Sequence, residues 1–539
     1  MLSHGLRFAT RIKSATRSGV FAFISSSLAV AAWTQQARAA GPIGANGTPI
    51  KTSDYALDLY QGPLFAGTRI TGLGGAYVAI SEDVDGDLQN PASPAVRPFF
   101  SYTYFDYWLG FGLTFPATLQ NVDFFNSGSK THITNPPDSF VFFTPSVNLQ
   151  FGELGIGLSL ETQQYALTQT NAEDGTQSSV RVTIPTTHLQ FGYGLDHNQW
   201  VLGVGARFVS MSVKGPDRVG SAFKSSGNGL EFGMVWKPEN RPIRLGFAYR
   251  TAIRTEASYT EGLLPNSEGD IILQNPGSSP YYLPKSVAFP WDVNFGFAVQ
   301  FGARPLNPAW RTNDDLIERQ KLEHRLRELD REASLSHALA EARTPREREQ
   351  IRQHYQHQQD ADDRALDKEL LAAKWQIERD LRKMNKFYVQ VAASLLVSGA
   401  VENAVGVESL MTQTVDRSGQ RAVVSPRLGI ESGVIPEYLK LRAGTYVEPT
   451  RFEGSSARTH LTAGLDVKLL VWNVFGLWPN DYMWRLGLGA DVAHRYNTWG
   501  ITIAGWYPRH TDKDKLPGDP EPRSKRFEAP EVAALGSNR

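Results

Sequence analysis

Residues 189–208 carry the pattern on which the fold turns. Leu189, Phe191, Tyr193 and Leu195 are set between Gln190, Gly192 and Gly194; the turn Asp196-His197-Asn198-Gln199 follows; then Leu202, Val204, Ala206 and Phe208 alternate with Gly203, Gly205 and Arg207. Successive side chains of a strand point to opposite faces, so each run has one apolar face and one face of glycine and polar residues. The same device recurs on both sides. Leu154, Ile156, Leu158 and Leu160 follow the turn Gly152-Glu153, and Ile243, Leu245, Phe247 and Tyr249 alternate with Arg244, Gly246, Ala248 and Arg250. Val293, Phe295, Phe297, Val299 and Phe301 do so with Asn294, Gly296, Ala298 and Gln300.

A soluble β-sandwich also alternates, but three features favour a closed transmembrane barrel. The runs extend to about seventeen residues, beyond the five or six usual in globular strands. Their non-apolar face is rich in Gly, Asn, Gln and Arg, which suits a lumen. Very short turns alternate with long polar loops, the asymmetry of outer-membrane barrels. The alternation predicts strands near 98–108, 139–151, 154–170, 180–195, 199–213, 228–237, 242–259, 288–302, 386–401, 423–434, 438–449, 459–473, 484–494 and 497–507. This is about fourteen, an even number, as single-chain bacterial barrels have. If the chain enters from the periplasm, the short turns at 152–153, 196–198, 238–241 and 435–437 fall on the periplasmic side; His494 to Asn497 is then an unusually short external turn.

Composition agrees with an all-β chain. The 539 residues include 48 Gly, 28 Phe, 19 Tyr and 12 Trp, with 55 basic against 55 acidic side chains and no cysteine. The absence of cysteine excludes disulfides, thiol nucleophiles and Cys-type zinc sites. Charge balance removes the general attraction to nucleic acid. At the N-terminus, Arg7, Arg11, Lys13 and Arg17 precede the short apolar stretch Gly19 to Trp33 and the small-x-small site Ala37-Arg38-Ala39. This reads as a signal peptide over 1–39, with the mature chain starting near Ala40. The predicted organisation is then an N-terminal hatch over 40–96, a barrel over 97–507 and a polar, unstructured tail over 508–539.

One insertion, bounded near 305–385, breaks the strand pattern. Asn313 to Met384 is dense in charge and lacks glycine. Leu322, Leu326, Leu329, Ala333 and Ala340 follow a 4-3 spacing, as do Leu366, Leu370, Ala373, Ile377 and Leu381. Thr344-Pro345-Arg346-Glu347 supplies a cap, a first-turn proline and a glutamate three residues on. The prediction is a helical hairpin, coiled-coil-like, with arms of roughly 45 to 60 Å at about 1.5 Å per residue. Parity places it on the periplasmic side, as a spacer or as a docking arm for a periplasmic protein. His324, His337, His354 and His357 lie on it and read as solvated.

Between the leader and the first strand stand Gly72-Leu73-Gly74-Gly75-Ala76-Tyr77, Glu82-Asp83 and Asn90-Pro91-Ala92. Tyr77 occupies the place of the third glycine of a dinucleotide fingerprint, so these glycines imply close backbone packing and not a phosphate loop. In this order the motifs resemble the FadL-type superfamily of long-chain fatty-acid transporters and its PorV-like, secretion-associated relatives. The likeness covers most of 60–108 and, with Ile435 to Gly444, of 420–507; the middle matches by alternation alone. Ser93 stands where those barrels usually have Gly, and the insertion and tail are departures. The barrels' usual terminal aromatic would be Trp506 or Tyr507.

The resemblance implies a fourteen-stranded outer-membrane barrel of a Gram-negative bacterium that passively passes small hydrophobic molecules, gated by the hatch. Expected ligand or hatch positions are Tyr55, Leu59, Tyr60, Leu64, Phe65, Gly72, Gly74, Gly75, Asn90 and Pro91. Lumen charges Arg207, Arg244, Arg250, Arg442, Glu448 and Asp466 either attract a carboxylate or pair with one another. The alternative is a non-transporting, PorV-like barrel whose hairpin docks a partner. No serine-hydrolase elbow, zinc-protease motif or His/Asp ligand spacing is present, so an enzyme, a metal and a cofactor are not expected.

Overall fold

In the computed structural model, the residues described are 43–101, 104–116, 122–128, 140–170, 177–214, 221–259, 265–273, 281–308, 313–472 and 482–506. The expected leader, the tail and Tyr507 lie outside them. Fourteen antiparallel strands close into one barrel: β1 (Phe105–Pro116), β2 (Phe140–Phe151), β3 (Leu154–Thr170), β4 (Gln177–Leu195), β5 (Trp200–Lys214), β6 (Ser221–Trp236), β7 (Ile243–Arg250), β8 (Asp292–Gly302), β9 (Tyr388–Ser398), β10 (Val423–Ile435), β11 (Leu439–Glu448), β12 (Arg458–Val471), β13 (Met483–Ala493) and β14 (Tyr496–Gly505). Each strand pairs with the next, and β14 closes on β1 with Ala504 opposite Gly110. Closure leaves no sheet edge, which a backbone in hydrocarbon requires. Phe191, Tyr193, Leu202, Phe232, Phe295 and Leu461 are among the apolar side chains exposed on the outer wall, where lipid covers them. Among the described residues, no helix is long and apolar enough to cross a membrane.

The strands follow the alternation, with corrections at four of them: β6 starts at Ser221 and not near 228, and β7 ends at Arg250 and β8 starts at Asp292, short of the expected 242–259 and 288–302, because Ile253–Glu256 and Ser286–Phe289 pair with each other instead. The first strand occupies 105–116 and not 98–108. Residues 97–101 are held below the wall by Arg97, whose guanidinium donates to Gly152 O (Nε, 3.0 Å), Tyr104 O (Nη2, 3.0 Å) and Ser101 Oγ (Nη1, 2.7 Å). Strand pairing starts only after that clamp, and the alternation continues through Phe111, Leu113 and Phe115. The short external turn is observed at His494-Arg495.

Residues 43–101 thread the lumen from the loop end to the turn end. Ala56–Asp58 runs parallel to both Ser286–Phe289 and Ala404–Val405 in a small five-stranded sheet at the loop end. Around it Ile43, Ile50, Tyr55, Leu57, Phe124 and Val405 form a buried apolar cap. The chain then passes through a single helical turn, Thr68–Gly72, and ends at the clamp of Arg97.

Glycine on the inner wall makes that path fit. Twelve of the fourteen strands carry a glycine at which an added Cβ would meet the hatch. At Gly155 it would lie 2.2 Å from Pro94 C, at Gly203 2.3 Å from Pro91 C, at Gly246 2.2 Å from Val78 O and at Gly429 2.4 Å from Leu73 O. Gly155 pairs with Gly192, Gly192 with Gly203 and Gly203 with Gly233, so the row is continuous across β3 to β6.

The insertion forms the expected hairpin from the turn end: arms Asn313–Glu341 and Pro345–Lys383. At its tip Thr344 Oγ1 accepts from Glu347 N (3.2 Å), the cap read from sequence, and Glu347 accepts from Arg343 N (3.0 Å), one residue before the cap. The expected stripe is not the seam, however: Leu322, Leu326 and Leu329 are 59, 55 and 57% exposed. The first arm turns His324 and Arg331 toward Asp363 and Asp362 of the second, and a helix can give only one such face to one neighbour.

Two outcomes follow. Gly246→Val or Gly429→Val is expected to unseat the hatch while the barrel closes, read as new trypsin cleavage at the buried Arg69 in a heat-modifiable, folded band. In the loop-end cap, burial and the carboxylates of Asp123 and Glu453 raise the Asp416 carboxyl to about 6. Its folded value lies above its unfolded one, so its neutral form adds stability at low pH that is lost as pH rises through about 6. Asp416→Asn is therefore expected to raise the melting temperature slightly at pH 8 and leave it unchanged at pH 4.

Candidate functional site

The hatch and the wall are joined by charge as well as by close contact. Arg69 Nε lies 3.0 Å from Glu431 Oε2, Arg442 Nε 2.5 Å from the same oxygen and Arg442 Nη2 2.6 Å from Asp466 Oδ2. Arg485 continues the chain, with Nη1 2.6 Å from Asp466 Oδ2 and Nη2 paired with Asp85. Three cations alternate with three anions, and the two ends, Arg69 and Asp85, belong to the hatch. Burying these ions is tolerable because each is paired and hydrogen-bonded. Tyr388 adds its hydroxyl to Glu431 at 2.7 Å.

The other expected lumen charges are likewise engaged. Arg244 Nη1 meets Glu82 Oε1 of the hatch at 2.9 Å. Arg250 Nε lies 3.1 Å from Glu231 Oε1, which also holds His188 Nδ1 at 3.0 Å. Glu448 binds Arg458 at 2.5 Å and His460 at 2.7 Å, and His460 passes on to Asp491 at 2.7 Å. Arg207 donates to Thr251 O at 3.1 Å. Five of the six are thus ion-paired, and Arg207 meets a backbone carbonyl.

Above this network, toward the loops, are two adjoining cavities of about 160 and 40 Å³. Both are bordered by Leu59, Tyr60 and Phe65 of the hatch; Leu64 borders the larger. The smaller is apolar on the loop side, with Phe124, Phe125 and Val407. The larger is polar on the turn side, with His188, Arg207, Arg250, Asp292 and Arg427. Arg427 differs from the other arginines. It is 8% exposed, and its guanidinium makes no hydrogen bond or ion pair with any described residue.

Of the expected hatch positions, Leu59, Tyr60, Leu64 and Phe65 therefore line a cavity. The others pack. Tyr55 donates its hydroxyl to Tyr282 O (2.7 Å) in the cap, Gly72, Gly74 and Gly75 lie against β10 to β12, and Pro91 lies against Gly203. Asn90 donates to Val78 O (2.9 Å) and Met234 O (3.1 Å), tying two hatch turns to the wall. Sequence reading did not single out Arg427, Glu431, Arg485 or Asp491. Their signal was their parity: each stands on the lumen side of its strand's alternation.

The ladder of the wall is interrupted beside the larger cavity. After Arg250 the chain folds inward, and Ile253–Glu256 leaves β6 to pair with Ser286–Phe289. On that side β6 keeps ladder partners at 231–236 and 223–224 but none between. Only scattered contacts bridge the interval, such as Leu230 N to Thr251 Oγ1 (2.9 Å) and Ser225 Oγ with Thr255 Oγ1.

These features define the class: a transmembrane β-barrel of fourteen strands, occluded by an N-terminal hatch. Fourteen strands around an N-terminal segment are the architecture that the resemblance to FadL-type barrels implied. No family model and no curated protein matches the chain. Among solved structures it is similar to the CymD monoaromatic hydrocarbon channel (10% identity over 83% of this chain and 98% of that one, TM-score 0.43). It is also similar to the P. putida toluene transporter TodX (11% over 84% and 98%, TM-score 0.43) and to CdiB from Acinetobacter baumannii (8% over 84% and 74%, TM-score 0.30).

Glu431→Gln is expected to cost on the order of 3–5 kcal/mol by leaving Arg69 and Arg442 short of a counter-charge. Urea unfolding of the refolded protein in micelles measures it.

Proposed function

We propose that the protein is an outer-membrane channel that passively passes small hydrophobic molecules, with the hatch as its gate. The single observation that supports this most is the pair of cavities between hatch and wall. The larger, at about 160 Å³, matches the size of engineered cavities that hold one benzene ring. The linings of the two together suit a solute with an apolar body and one acceptor group: Phe65 borders both, Phe124 and Phe125 border the smaller, and Arg427, which makes no hydrogen bond with a described residue, borders the larger. The solute leaves where β6 and the inward-folded segment part, because the fewest backbone hydrogen bonds are broken there.

The chain has no cysteine, so this route can be tested with a single introduced pair. In proteoliposomes, uptake of toluene and benzoate is expected to exceed that of empty vesicles. Ser225→Cys with Thr255→Cys should block it when oxidised and restore it on reduction; Arg427→Leu should reduce benzoate uptake more than toluene uptake. Uptake no faster than empty vesicles would overturn transport, and uptake indifferent to the disulfide would overturn the route.

One observation favours a second reading, in which the hairpin docks a periplasmic protein. Leu322, Leu326 and Leu329 form an apolar stripe that the second arm leaves uncovered. A helix with the complementary spacing would cover it.

A further inference from the structure

The hairpin seam contains an arrangement that a solvated spacer does not need. His324 reads from sequence as a surface residue, yet it is 7% exposed and turned toward the second arm. Its Nε2 lies 3.1 Å from Asp363 Oδ1 but forms no hydrogen bond, and its Nδ1 lies 3.9 Å from Glu328 Oε1. One donor atom from each of His324, Glu328 and Asp363 falls within 4.8 Å of the others.

We propose that these three side chains bind a divalent transition-metal ion of the zinc class and so tie the two arms together. His324 and Glu328 stand four residues apart on one helix, which sets both on one face. Asp363 comes from the opposite arm, so the ion would bridge the hairpin. Ligands about 2.0–2.2 Å from a zinc ion lie roughly 3.3–3.6 Å apart in a tetrahedron, so small side-chain rotations bring the three to it. One imidazole nitrogen with two carboxylates selects zinc, cobalt or nickel over magnesium and calcium, which prefer oxygen alone.

A plain ion pair accounts for less. In a hydrogen-bonded His–Asp pair, the ring nitrogen would donate along its own axis to the carboxylate. Here the buried Nε2 is near the oxygen without that geometry, as when both atoms face a third centre. The tie falls where the seam is polar: Arg331 pairs with Asp362 one further stretch along, and the apolar side chains of the first arm point elsewhere. Three protein ligands leave at least one position for water or an outside donor.

The test uses the full-length protein in detergent, titrated with zinc by calorimetry and with cobalt(II) by visible absorption. The expected result is saturable binding of about one equivalent and a cobalt band, unaffected by excess magnesium or calcium. His324→Ala and Asp363→Asn should weaken binding by at least about tenfold and remove the band. Glu328→Gln preserves shape and helix content while losing a ligand, and should weaken binding as well. His337→Ala, on the same arm but 77% exposed, should change nothing. Equal binding by wild type and His324→Ala, or no saturable binding of either metal, would overturn the site.

Discussion

The structure depends on how closely one stretch of backbone can approach another. The hatch lies flat on the inner wall because the wall has no side chain where they touch. At Gly246, Gly203 and Gly155 a single methyl group would overlap a carbonyl or an α-carbon of the hatch. Interiors pack at near-crystalline density, so such overlap cannot be absorbed by small shifts. The glycines therefore cost strand propensity and return a plug held over its whole length. The ionic chain from Arg69 to Asp85 works only within that contact, since its hatch and wall members must stand at hydrogen-bond distance in a lumen that water scarcely enters.

The same closeness explains what remains open. Where the hatch passes from its apolar cap to its glycine-seated turn, Leu59 to Phe65 bridges the lumen without touching every wall strand, and the cavities lie there. The inward fold of 251–257 borders them. An arginine without a hydrogen-bond partner among the described residues, a space the size of one ring and an interrupted ladder thus occur in one quadrant. Elsewhere many of the lumen charges are ion-paired, the longest run being the six from Arg69 to Asp85.

Much of this was legible in the residues. Period-two alternation located thirteen strands to within a few positions at most ends, and the even count and turn parity required closure. The first strand was missed because Phe99 and Phe100 extend the alternation backward, while the clamp of Arg97 is a tertiary effect that no local pattern carries. Gly72 to Gly75 were read rightly as a close-approach motif, but their mates on the wall, such as Gly429 and Gly444, looked only like lumen-facing small residues. Which lumen charges pair depends on register across strands far apart in sequence, as Arg442 with Asp466 and Arg69 with Glu431 show. Arg427 shows the limit most plainly: that no described residue offers its guanidinium a hydrogen bond depends on strands far from it in sequence. His324 and the leucine stripe of the first arm show another, since a helix with two candidate faces does not say which one its neighbour takes.

Threading imposes an order of assembly. Residues 43–101 run from one mouth of a closed cylinder to the other, with both ends gripped, one by the small sheet around Ala56–Asp58 and one by Arg97. A finished cylinder could not admit them, so the strip made first must already be laid out when β14, made last, zips onto β1. The hatch is then a mandrel around which the staves are drawn, and its glycine-lined bed is as much a feature of biogenesis as of the finished barrel.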